Sequence, residues 1–244
     1  MARILITGSS TGLGHSAAEA LLDHGHQVTV HARNEERLAA VGDLIDRGAS
    51  NVTGDLGDLG ETVQLAEQAT ALGAFDAVIH NAGVIDGSGL LPVNVVAPYV
   101  LTALVPAGRL IYLSSSMHRG GSPDLTGIDW TGARPNSSYS DSKLFVTTLA
   151  AAVARLRPET VVHTVDPGWV PTRMGGSQAS DDLREGHRTQ VWLATTDDPA
   201  ALVSGGYWHH HRRQEPHPAA GDDAFQDALL ASLTEHTRIA LPLS

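Results

Sequence analysis

Short runs of Val, Ile and Leu alternate along the chain with longer stretches in which apolar residues return every three or four positions. The runs have the length and β-branched content of buried strands, and the longer stretches have the period of amphipathic helices. This rhythm predicts strands near 3–7, 27–32, 50–53, 75–80, 109–114, 161–166 and 203–208, and helices near 13–24, 34–46, 58–72, 92–104, 138–156, 181–195 and 223–236. Strand and helix in regular alternation make βαβ units. The expected fold class is therefore α/β, a doubly wound parallel sheet of about seven strands flanked by helices, in one domain spanning 1–244.

Two loops interrupt the rhythm. The first runs from Ser116 to Ser138 and holds Gly120, Gly121, Pro123, Gly127, Gly132 and Pro135 together with Leu125, Ile128 and Trp130. The second runs from Trp169 to about Ser180 and holds Pro171, Gly175 and Gly176. Long loops beyond strand ends are where α/β proteins build their sites.

The first strand runs into Thr7-Gly8-Ser9-Ser10-Thr11-Gly12-Leu13-Gly14, with the spacing G-x-x-x-G-x-G, and then into a helix rich in Ala and Leu. Small residues at such a turn let the backbone approach a pyrophosphate whose charge faces the helix N-terminus. An ordinary glycine-rich turn is the alternative. The second strand ends in Val30-His31-Ala32-Arg33-Asn34, with no acid to hold a ribose 2′-hydroxyl and with Arg33 placed to face a 2′-phosphate. The expected cofactor is NADP(H) in preference to NAD(H), unless Arg33 is only a solvated residue opening the next helix.

Composition narrows the function. At 244 residues with 42% hydrophobic side chains the chain is long enough for one well-buried core. A net charge of −11 disfavours nucleic acid and acidic membrane surfaces as partners. With no cysteine, thiolate catalysis and disulfides are excluded, and a reducing compartment, the cytoplasm, is the expected location. The run Ile4-Leu5-Ile6 is too short for a signal segment and reads as a strand. His209-His210-His211 with His217 lack a carboxylate at ligand spacing, so no metal is expected. Fifteen Arg stand against a single Lys, Lys143, which makes that lysine a candidate for a task arginine cannot perform.

Lys143 closes Ser138-Tyr139-Ser140-Asp141-Ser142-Lys143 at the start of a long predicted helix. Four residues make slightly more than a turn, so Tyr139 and Lys143 share a face about 6 Å apart along the axis. A phenol near pKa 10 is a poor acid or base at neutral pH, and a neighbouring ammonium is expected to lower it. An exposed surface pair is the alternative. Strand five ends in Ser114-Ser115-Ser116, strand four in His80-Asn81-Ala82-Gly83 and strand six in Asp166-Pro167-Gly168, all at the sheet edge that carries the glycine-rich turn.

TGSSTGLG, NAG, the serine run, YSDSK and PGWVPT, in this order and on these elements, resemble the short-chain dehydrogenase/reductase family over nearly the whole chain. The resemblance implies a Rossmann-type domain with its cofactor part at about 1–115 and its catalytic and substrate part at about 115–244. It implies Tyr139 as general acid/base and Lys143 as the residue that lowers the tyrosine pKa and binds the nicotinamide ribose. Ser115 would orient the carbonyl, although Ser116 stands beside it, and Asn94 would bend its helix and hold a water in the proton relay. Gly8, Ser10, Thr11, Gly12, Leu13, Gly14, Arg33, Asp55, Leu56, Asn81, Ala82, Gly83, Pro167, Gly168, Val170 and Thr172, with Tyr139 and Lys143, would hold the cofactor. Asp55 could instead be a helix N-cap.

Only 13 positions separate Asn81 from Asn94, so the helix expected between them in the family is reduced here to a loop. The usual tetramer is built on that region, and a monomer or homodimer is expected instead. The long stretch from Ser115 to Tyr139 and the segment Ser204-Gly205-Gly206-Tyr207-Trp208 resemble the retinol-dehydrogenase-like or carbonyl-reductase branch. The expected substrate is a bulky apolar ketone, aldehyde or alcohol, walled by Leu125, Ile128, Trp130, Trp169 and Met174, unless those side chains only pin their loops to the body. A cofactor-sensing protein without turnover, or a sugar epimerase or dehydratase, are the other readings of the same motifs.

Overall fold

The computed structural model describes residues 1–134, 136–176 and 178–242, so Pro135 of the first loop lies outside the described residues. Eight strands form one sheet in the order β3-β2-β1-β4-β5-β6-β7-β8. They are β1 (Arg3–Ile6), β2 (Gln27–Ala32), β3 (Ser50–Thr53), β4 (Phe75–His80), β5 (Ala107–Leu113), β6 (Val161–Asp166), β7 (Gly206–His209) and β8 (Arg212–Gln214). The first seven pair in parallel, and β8 runs antiparallel to β7. Strand order reverses between β1 and β4, which leaves a crevice beyond their C-terminal ends.

Helices α1 (Gly12–Asp23), α2 (Glu35–Leu38), α3 (Gly42–Asp46), α4 (Leu59–Ala71), α5 (Ala97–Leu104), α6 (Tyr139–Leu156), α7 (Leu183–Gly186), α8 (Arg188–Thr195) and α9 (Asp223–Thr237) cover both faces. Side chains alternate across each strand, and this divides the core in two. Leu5 and Val78 join one cluster with Leu65 of α4, Tyr99 of α5, Phe145 of α6 and Leu229 of α9. Ile4, Ile6, Ala77 and Ile79 join the other with Leu21 of α1, Leu44 of α3 and Leu193 of α8.

The departures from the sequence reading have local causes. The helix expected over 34–46 is three short pieces, α2, a 3-10 turn at Ala39–Val41 and α3. The one expected over 181–195 divides at His187 into α7 and α8. Strand β7 starts at Gly206 rather than 203, because Gly205 turns the chain with φ +80°. Strand β8 went unread since Arg212, Arg213 and Gln214 are all exposed and carry no apolar period; the turn before it is made by His210 and His211, both at positive φ. No α-helix forms between Asn81 and Gly89. Asn94 sits inside a π-helical segment, Pro92–Val96, that leads into α5.

Candidate active site

A cleft of about 680 Å³ opens at the strand-order reversal. Gly8, Ser10, Thr11, Gly12 and Leu13 line one wall. Gly8 and Gly12 take positive φ, and a Cβ on Gly8 would lie 2.9 Å from Ala82 Cα. Thr11 caps α1 without a side-chain hydrogen bond, and no acid stands in the first turn, so the helix offers unpaired N–H groups to an anion. Gly14 does not line the cleft. It packs beneath the turn, where a Cβ would come within 2.4 Å of both Gly8 O and Asn81 Nδ2. Asn81 knits strand to turn, donating from Nδ2 to the carbonyls of Thr7 and Gly8 at 2.9 and 3.1 Å.

His31 holds the turn from the other side. Its Nδ1 accepts the Gly8 amide at 2.9 Å and its Nε2 meets Gly54 O at 2.8 Å, which fixes the neutral tautomer with the proton on Nε2. Burial lowers its pKa. Beyond it, Arg33 and Arg37 both line the cleft, with Arg33 Nε 3.6 Å from Asp55 Oδ2. Asp55 accepts the Gly57 amide, and the N-cap of α4 is Asp58, which settles the alternative raised for Asp55. Leu56, Ala82 and Gly83 complete this end. Arg37 and His31 escaped the sequence reading; the spacing of Arg37 four after Arg33 was the available signal for the first.

At the other end stand Tyr139 and Lys143. Tyr139 is the first residue of α6, and its place is set by a capping box: Ser138 accepts the Asp141 amide, and the Asp141 carboxylate accepts the amides of Ser138 and Ser122. One turn on, Lys143 is buried and its Nζ donates to Leu113 O at 2.8 Å, 5.5 Å from the Tyr139 ring centroid. Ser115 is half-buried beside the Tyr139 hydroxyl, whereas Ser116 is exposed and opens the 3-10 turn Ser116–Gly120. Asn94 does not line the cleft. Its side chain is committed to Val84, accepting that amide at 2.8 Å and donating to that carbonyl at 2.9 Å, and it also donates to Ser142 Oγ.

The resemblance assigns Lys143 the lowering of the tyrosine pKa, and burial acts on the phenol in the opposite direction. Burial pushes the Tyr139 phenol up to about 12, opposed by the Ser115 hydroxyl and reinforced by Asp166. Burial also lowers Lys143 to about 8, opposed by Asp166. The ammonium is directed at Leu113 O and lies over the ring rather than at the hydroxyl, so desolvation outweighs it.

The loop after β6 closes the cleft. Pro167, Thr172, Arg173 and Met174 line it, and Tyr139 Oη donates to Met174 Sδ at 3.9 Å. Gly168 and Val170 stand outside: Gly168 turns at φ +83° against Asp181 and His210, and Val170 is buried. Of the side chains expected to wall a substrate, Met174 lines the cleft, whereas Trp169 is exposed and is not part of its lining. Trp130 is instead buried against Phe145, with Leu125 and Ile128 packed on the same core.

Residues 2–105 match the family described as short chain dehydrogenase. The chain is 38% identical to the short-chain dehydrogenase chyC of Penicillium rubens, over 99% of this chain and 100% of that one. Its fold is similar to that of an uncharacterised protein from Mycobacterium paratuberculosis, with TM-score 0.82, 22% identity and coverage of 100% and 96%. A short chain dehydrogenase from Shigella flexneri complexed with NADP superposes with TM-score 0.69 at 23% identity, covering 86% of this chain and 97% of that one. The Rossmann-type sheet, the glycine-rich turn at its strand reversal and this likeness over the full length lead to one conclusion: the chain is an oxidoreductase of the short-chain dehydrogenase family.

Proposed function

We propose that the protein is an NADP(H)-dependent oxidoreductase that interconverts an apolar ketone or aldehyde with its alcohol. One observation carries this reading: Tyr139 and Lys143 stand on one face of α6 at the end of a cleft whose far end is a glycine-rich helix N-terminus flanked by two arginines. The cleft fits a dinucleotide. The uncapped first turn of α1 would take the pyrophosphate, Arg33 and Arg37 a 2′-phosphate, and Lys143 the nicotinamide ribose. When bound, that cofactor supplies or receives the hydride. Tyr139, with its phenol held protonated well above neutral pH, donates a proton to the substrate oxygen in reduction. Ser115, beside that hydroxyl, orients the carbonyl. Asn94, by holding Val84, shapes the wall behind Gly83.

Ile85 and Met174 line the cleft and leave apolar surface exposed, which suits an apolar substrate. The family's usual association region is covered from within, since α9 packs on α6 and Tyr99 of α5 bonds to Thr234 and Ile239 O. This favours a monomer or homodimer over a tetramer. No described helix is long and apolar enough to cross a membrane, and the cytoplasm is the proposed location.

Tyr139→Phe should lower turnover on a ketone panel by about 10²–10⁴-fold while NADPH still binds. Full activity would end the reading. Arg33→Asp should weaken NADPH far more than NADH in a binding titration; an equal loss of both would remove the proposed preference.

A further inference from the structure

Lys143 and Asp166 are both buried, at 4% and 6% exposure, and both are groups whose charged form is costly to take out of water. Among the described residues Lys143 has no carboxylate within salt-bridge distance, and the one basic side chain that near Asp166 is the imidazole of His209, with Nδ1 3.7 Å from Oδ2. The sheet brings the two charges together. Lys143 hangs from Leu113 O at the end of β5, and Ser114 N donates to Val165 O at 2.7 Å, so Asp166 ends the adjacent strand beside it. Oδ1 of Asp166 accepts the Gly168 amide at 3.0 Å. Tyr207, whose buried hydroxyl makes no hydrogen bond of ordinary geometry, lies against the carboxylate.

Every packed element presents a titratable or charged group to this acid or its immediate surroundings. Tyr139 and Lys143 come from α6, His118 from the turn after β5, and Tyr207 and His209 from β7. Arg119 lies over the Tyr207 ring, His210 and Asp181 flank Gly168, and the His217 amide donates to His118 Nε2.

We propose that Asp166 is the buried counter-charge of the Tyr139–Lys143 pair, a positioning residue that holds Lys143 as an ammonium and the proton on Tyr139, and so sets the site for carbonyl reduction. The inference rests on the reading of Tyr139 as proton donor. A desolvated ammonium keeps its proton only if negative charge stands near, and the same negative charge opposes formation of a phenolate. Both effects run in that direction here: Asp166 raises Lys143 against burial, and adds to burial in raising Tyr139.

The single lysine makes a direct test possible. With [13C]lysine incorporated, the Lys143 side chain gives one NMR signal whose pH titration needs no turnover. The wild-type midpoint should fall near 8. In Asp166→Asn, which can still accept the Gly168 amide, it should fall by about one unit, and Asp166→Glu should restore it. The alkaline limb of ketone reduction should move with the lysine, so that Asp166→Asn loses about tenfold between pH 6 and pH 8 where the wild type loses about twofold. An unmoved lysine midpoint overturns the counter-charge whatever the activity. A midpoint that moves in a protein that reduces no ketone overturns the catalytic reading instead and leaves the counter-charge standing. Should Asp166→Asn not fold, Asp166→Ser is titrated in its place, and a wild-type lysine already neutral at pH 7 overturns the assignment by itself.

Discussion

The two long loops carry similar side chains and meet opposite fates. In the loop after β5, Trp130 is buried, stacks edge-on with Phe145 at 5.8 Å and donates from Nε1 to Ser232 Oγ at 2.8 Å, while Leu125 and Ile128 pack on the core. In the loop after β6, Trp169 and Met174 stay exposed, and the loop is tied chiefly to itself: Trp169 N donates to Asp181 Oδ2 at 2.7 Å, Asp181 N to Trp169 O at 3.0 Å and Trp169 Nε1 to Gly175 O at 2.9 Å. The first loop therefore belongs to the body, and the second to the cleft. An apolar residue in a loop says nothing of its role until the surface behind it is known; here that surface is the groove between α6 and α9 for one loop and the mouth of the cleft for the other.

The contrast can be broken by substitution. Trp130→Ala should cost about 3–5 kcal/mol in urea denaturation, with cofactor affinity unchanged in the folded fraction. A stable Trp130→Ala protein with an altered KM would reverse the assignment of the two loops. Ser232→Ala should cost about 1–3 kcal/mol by leaving the indole N–H without its acceptor, and a midpoint equal to wild type would show that this bond does not anchor the loop. Met174→Ala should stay within about 0.5 kcal/mol of wild-type stability, since the side chain is 40% exposed and belongs to neither core cluster. Its effect should appear in KM for an apolar ketone, and a loss of stability with unchanged kinetics would place Met174 in the body with Trp130.

Much of this molecule could be read from its linear pattern because the relevant forces are local. Six of the eight strands lie where short β-branched runs predict them, to within a residue or two. Gly8 and Gly12 could be singled out because small residues between a strand and a helix let the backbone approach a pyrophosphate, and Tyr139 and Lys143 because four residues on a helix return to one face. What escaped is non-local. Strand β8 has no apolar period, Arg37 has only its spacing from Arg33 to mark it, and Asp166 reads in the chain as no more than the acid before a Pro-Gly break.

The sequence by itself determined the order of elements, the glycine-rich turn and the pairing of Tyr139 with Lys143, since periodicity and spacing act within single elements. Only the tertiary structure decided that Trp130 faces the core and Met174 the cleft, that the Tyr139 phenol is buried enough for its pKa to be raised, and that Asp166 ends the strand beside the one from which Lys143 hangs. Burial and charge proximity are set by segments far apart in the chain, so they exist only once the sheet has brought its edges together.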